Sequence, residues 1–194
     1  MVRKYLLSPP LRVGVVGLLL ALAAGGCRPE GVHSTPRRDL ATLDSLLRLV
    51  QQRLTLMHEV ARCKWNAGQP IRDPEREGQL LQSVVEYGRD KGLDPDWVRR
   101  FFAAQMEAAR LVQEADFARW EANKQGPFAD KTSLTVLRRR IDGLNRELID
   151  ALADVRPWLS GPTVQQVLPR RADAILTGNG LAGVREAAIA PLRR

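Results

Sequence analysis

Cysteine, histidine and aromatic residues are scarce in this 194-residue chain, and each scarcity excludes something. There are two cysteines, Cys27 and Cys63, and two histidines, His33 and His58. They do not fall into a Cys/His spacing that would ligate a metal. Cys27 lies at the boundary of an N-terminal apolar run and Cys63 inside an expected helix, so a structural disulfide between them is not expected. Phe, Trp and Tyr make up only 5% of residues, too few to interleave with basic patches as a nucleic-acid surface requires. No segment alternates with the two-residue period of a strand, and no glycine-rich phosphate loop is present. The longest apolar run, residues 13–24, is too short to span a bilayer stably.

Charge is plentiful and mixed. Thirty Lys and Arg stand against 22 Asp and Glu, a formal charge of +8. The basic residues come in pairs such as Arg37-Arg38, Arg99-Arg100 and Arg170-Arg171, alternating with acids along helical patterns. Solvated helix faces explain them better than nucleic-acid binding does, so no nucleic-acid partner is expected. Arg3, Lys4 and Arg12 flank the apolar run, and small residues follow it, which together read as an export signal over residues 1–27. Leu22-Ala23-Ala24-Gly25-Gly26-Cys27 resembles a lipoprotein signal, with Cys27 as the possible lipid-bearing residue. Ordinary cleavage after Ala24 is the other reading. Loss of the three signal cations leaves 27 basic against 22 acidic residues, or +5. That mild positive field favours an anionic ligand.

Residues 28–38 read as a flexible leader. From Leu40 the apolar positions recur at helical spacing through Leu43, Leu46, Leu47, Val50, Leu54, Met57 and Val60, so a long helix is expected to about Ala67. Gly68 ends it and Pro70 keeps the connector extended. Asp73-Pro74 and Asp94-Pro95 each pair an N-cap with a proline suited to the first helical position. They open a second helix stopped by Gly92 and a third ending near Trp120. After a loop over residues 121–131, Ser133 caps a fourth helix expected to stop near Val155, before Pro157. Gly161-Pro162-Thr163 opens a fifth to about Ile175, and a last covers about 181–190. The expected fold is all-α, one domain of about six helices, long enough to bury a core.

Three cations stand out. Arg53 and Lys64 are eleven residues apart, and three helical turns take ~10.8 residues, so both leave one helix face. Arg76 falls in the first turn of the next helix. Cations converging from two helices suit a small, multiply charged anion, with Arg as the bidentate partner of a carboxylate and Lys as a mobile point charge. Taken singly, each could be an ordinary surface residue. Arg76 could pair with Asp73, whose position as N-cap already accounts for it, and Gln113 could be merely solvated.

Together, Arg53, Lys64, the segment Pro70-Ile71-Arg72-Asp73-Pro74-Glu75-Arg76, Gln113 and Arg138 resemble the all-helical chorismate mutase family. The signal sequence and the extra helical half beyond residue 156 resemble its secreted, or gamma, class. The resemblance implies a mutase core over residues 39–156 and a C-terminal extension over 157–194 packed on it. It implies an exported, periplasmic or secreted enzyme that rearranges chorismate to prephenate without metal or cofactor. A homodimer, with each site inside one protomer, is implied in the same way. Arg53 and Arg76 would hold the two carboxylates, and Lys64 a carboxylate and the ether oxygen. Gln113 would donate to that oxygen, Asp73 would meet the hydroxyl side, and Arg138, rather than Arg139 or Arg140, would complete the pocket. Glu77 is a weaker candidate for the hydroxyl. The chain departs from the pattern at Ala109, where relatives often carry Ser or Thr. It also lacks the cysteines that often staple the C-terminal half of secreted relatives. The alternative reading is a non-enzymatic exported helical module that binds an anionic ligand or a partner helix.

Overall fold

The computed structural model describes residues 36–129, 132–178 and 180–193. The expected signal, Cys27 and most of the expected leader lie outside them. Six α-helices follow in order: α1 Pro36–Asn66, α2 Pro74–Asp90, α3 Pro95–Ala122, α4 Leu134–Leu159, α5 Pro162–Ile175 and α6 Leu181–Ile189. A single 3₁₀ turn, Ala190–Leu192, closes the described chain, and there is no strand among the described residues.

The caps form as their residue types dictate. Asp73 accepts from the Arg76 backbone N–H at 3.2 Å, Asp94 from that of Trp97 at 2.7 Å, and Ser133 from that of Val136 at 3.3 Å. Each satisfies one of the orphan donors at a helix start. Gly92, at φ +72°, takes the left-handed turn between α2 and α3.

Two expected boundaries are corrected. Residues 36–38 belong to α1 rather than to a leader, because Pro36 suits a first helical position. The fourth helix does not stop before Pro157 but runs through it to Leu159. An interior proline costs about 3 kcal/mol. Here it sits in the last turn, and the residues around it gain burial: Val155 and Leu159 enter the core, and Trp158 packs against it. Burying one such side chain contributes roughly 1.5–3 kcal/mol, enough to offset most of that cost.

Helix α1, about 46 Å long at the usual rise per residue, packs against α3, α4 and α5. Its stripe of Leu43, Leu46, Leu47, Val50 and Leu54 is fully buried. Helix α2 packs on α3 and α4, and α6 packs on α3. The approach of α2 to α3 is close: a Cβ on Gly88 would come within 2.8 Å of Val98 Cγ2. One apolar core runs from Leu43 to Leu192, so α5 and α6 share it with the first four helices. Trp65, Phe117, Trp120 and Phe128 form an edge-to-face aromatic cluster at the far end of α1.

Candidate active site

Arg53 and Lys64 are separated by about 16 Å along the α1 axis. Met57 and Val60 lie between them and form the apolar floor of a pocket. The empty space of the pocket, open mouth included, is about 710 Å³. Arg53, Lys64, Asp73, Arg76, Gln113 and Arg138 all line it. Helix α1 supplies two of these residues and α3 and α4 one each. Asp73 and Arg76 come from the capped start of α2.

Arg53 is 2% exposed, yet no carboxylate among the described residues touches it. Its Nε donates to Asn145 Oδ1 and its Nη1 to the Gln105 carbonyl, both at 3.0 Å. Burial pulls its pKa down to about 10, against the opposing field of Asp142. It therefore stays charged at neutral pH. Lys64 is 7% exposed and donates to the Ile71 carbonyl of the α1–α2 connector. Burial lowers its pKa below the usual lysine range; Asp73 and Glu77 oppose that shift and Arg138 adds to it. Two buried cations whose direct hydrogen bonds go to neutral oxygens leave charge to be balanced by something entering the pocket.

The other cations are paired. Arg138 Nη2 donates to Asp73 Oδ2 at 2.6 Å, and Arg76 Nη2 donates to Asp142 Oδ1 at 2.5 Å. The alternative for Arg76, a side-chain pair with Asp73, does not form: Asp73 accepts from the Arg76 backbone N–H and gives its other oxygen to Arg138. Of the three consecutive arginines, Arg138 faces the pocket. Arg139 and Arg140 are exposed, and Arg140 lies 3.7 Å from Glu59.

Gln113 is buried, and its Nε2 donates to the Ala109 carbonyl at 3.1 Å while lying 4.0 Å from Met57 Sδ. Its Oε1 is buried with no hydrogen-bond partner. One amide N–H is thus held by the helix's own backbone, and the second meets only a thioether. An oxygen entering here would be the better acceptor.

Sequence reasoning passed over several residues. Arg110 lines the pocket, clamped between Glu107 at 2.5 Å and Glu114, and these bonds raise its pKa. Asn145 and Gln105, which hold Arg53, are buried. Their signal was a lone polar residue in an apolar helical stripe: Asn145 between Ile141 and Leu148, Gln105 between Phe101 and Ala108. His58 pairs at 2.6 Å with Asp116, which also accepts from Arg119 at 2.6 Å.

The described residues form an all-helical domain with a pocket lined by four cations of one chain, Arg53, Lys64, Arg76 and Arg138, together with Arg110. The chain belongs to the chorismate mutase family. The type II chorismate mutase family model matches residues 37–114, which takes in Arg53 through Gln113 and stops short of Arg138. A crystal structure of chorismate mutase from Burkholderia thailandensis superposes with a TM-score of 0.72 at 32% identity, covering 78% of this chain and 99% of that one. The secreted chorismate mutase of Mycolicibacterium smegmatis is 29% identical over 84% of this chain and 90% of its own length. That of Mycobacterium tuberculosis is 28% identical over 90% of this chain and 85% of its own.

Proposed function

We propose that this protein is an exported chorismate mutase that converts chorismate to prephenate in a pocket built within one chain. The observation that carries the reading is the pair Arg53 and Lys64, buried in one pocket, whose hydrogen bonds among the described residues go to neutral oxygens. A dianionic substrate supplies the missing counter-charge.

The chemistry asks for no nucleophile. A carbon–carbon bond forms as the ether C–O bond breaks within one molecule, and nothing leaves. The site has to hold the folded conformer and place donors where negative charge grows on the ether oxygen. In this reading Arg53 grips one carboxylate from the buried end and Arg76 the other. Each guanidinium has five N–H groups, so Arg76 and Arg138 keep their protein partners and still donate. Lys64 and the second N–H of Gln113 share the ether oxygen. Asp73, fixed by its cap and by Arg138, faces the substrate hydroxyl. Ala109 contributes no hydroxyl.

Export rests on the basic-then-apolar N-terminus and on the secreted relatives. A homodimer with one complete site per protomer is part of the same reading. The complete site per protomer is supported by all six side chains lining one pocket of a single chain; the dimer rests on the resemblance to the secreted class.

The deciding experiment follows chorismate absorbance with the purified chain lacking residues 1–27. Steady loss of chorismate with accumulation of prephenate is expected. A folded, helical protein that leaves chorismate intact would make it a binding module instead.

A further inference from the structure

Arg53 poses a problem of orientation. A buried guanidinium without a carboxylate partner has nothing charged to aim it, yet a bidentate grip on a ligand depends on its angle. Two neutral acceptors on different helices do the aiming. Asn145 of α4 takes Nε at 3.0 Å, and the Gln105 carbonyl of α3 takes Nη1 at 3.0 Å. The Gln105 side chain is itself tied down: its Nε2 donates at 2.7 Å to the Ala188 carbonyl of α6. Nη2 is the guanidinium nitrogen that makes no hydrogen bond among the described residues.

We propose that Asn145 is a positioning residue for Arg53, with Gln105 and its anchor on α6 fixing the second contact, so that Nη2 is presented to the ligand carboxylate. An amide suits this task better than an acid. Aspartate at 145 would hold the same geometry but would neutralise Arg53 and compete with the ligand for it. The C-terminal helices thereby gain a part in substrate binding although none of their residues lines the pocket. The kinetic side of the proposal rests on the chorismate reading; the contacts themselves do not.

Two measurements on the full mature chain test it. The first is proton exchange at Arg53 Nε–H, followed by nitrogen-edited NMR without ligand. Protection is expected in wild type and in Asn145→Asp, and should be lost in Asn145→Leu. Unchanged protection in Asn145→Leu would overturn the proposal. The second is a double-mutant cycle in kcat/KM. Asn145→Leu should raise KM on the order of tenfold, the worth of one hydrogen bond to a charged group, with kcat within about threefold. Asn145→Asp should raise KM as well, through lost charge rather than lost orientation. In an Arg53→Ala background, Asn145→Leu should change kcat/KM by less than about twofold, because its effect passes through Arg53. Losses that simply multiply would mean a general structural role and would refute the proposal. If Asn145→Leu does not fold, Asn145→Ala carries both measurements with the same expected outcomes. A wild-type protein that does not turn over chorismate would sink the functional reading alone, and the exchange measurement would still decide this one.

Discussion

Asp73 and Arg138 meet at 2.6 Å although 65 residues separate them in the chain. The same carboxylate caps α2 through the Arg76 N–H. One side chain therefore starts a helix and tethers the arginine that reaches in from α4. The two duties separate on substitution. Asn caps as well as Asp does, so Asp73→Asn should lower the thermal midpoint by no more than the Arg138 pair is worth. Both partners are more than a third exposed, which limits the pair's share of stability to under about 1 kcal/mol, whereas kcat/KM should fall further because Asp73 also faces the substrate hydroxyl. Asp73→Ala should add a drop of about 2–4 °C in the midpoint, the worth of a lost cap in a chain this size. Melting curves and initial rates on both variants check this, and equal melting losses would rule out the capping role.

Arg53 and Arg76 should respond differently to removal. Truncating either costs contact with a bound anion, on the order of 2–5 kcal/mol in kcat/KM. Arg76 is partly exposed and paired with Asp142, so Arg76→Ala should change stability little. Arg53 is buried, so Arg53→Met removes a desolvated charge but also leaves the buried Asn145 Oδ1 without its donor. The two effects oppose each other, and Arg53→Met should melt within a few degrees of wild type, roughly 1 kcal/mol either way, while losing turnover. An Arg53→Met protein that turns over normally would remove Arg53 from the site.

The pH profile tests the ether-oxygen donors. Between about pH 5 and 8 the proposed cations are charged and Gln113 does not titrate, so kcat/KM should be nearly flat there. Burial lowers the pKa of Lys64 and brings Arg53 to about 10. Since the charged forms bind substrate, kcat/KM should fall on the alkaline side before an ordinary lysine would titrate. A bound dianion favours the cations, so the fall in kcat should come at higher pH than that in kcat/KM. Gln113→Glu adds an acid limb, because a carboxyl donates only while protonated. That variant should work best in acid and fade as pH rises. A flat profile in Gln113→Glu would place Gln113 away from the ether oxygen.

Cleavage before Cys27 followed by lipidation would send the mature protein into the detergent phase. The expected outcome is that Cys27→Ser abolishes that partitioning. A water-soluble mature chain whose first residue precedes Cys27 would exclude the anchor.

Much of the helical order was legible because its signals are local. Asp73-Pro74, Asp94-Pro95 and Ser133 each carry cap and first-turn chemistry within four residues, and the leucine stripe of α1 repeats at helical spacing. The boundaries that were misread depend on distant packing. Nothing near Pro157 announces that Leu159 will be buried, so the local rule for proline favoured an early stop.

What the sequence by itself determined was which residue types stand on which helix faces. The spacing of Arg53 and Lys64 puts both on one side of α1, and the resemblance carried by residues 53–76, Gln113 and Arg138 pointed to the family. Tertiary structure alone decided the partners of those side chains. Asp142 takes Arg76, Asp73 takes Arg138 rather than Arg76, and Arg53 is left with Asn145 and the Gln105 carbonyl. The physical reason is that helix periodicity is a property of a few consecutive residues, whereas an ion pair or a buried hydrogen bond depends on how whole helices pack. Those four contacts join residues between 52 and 92 apart in the chain.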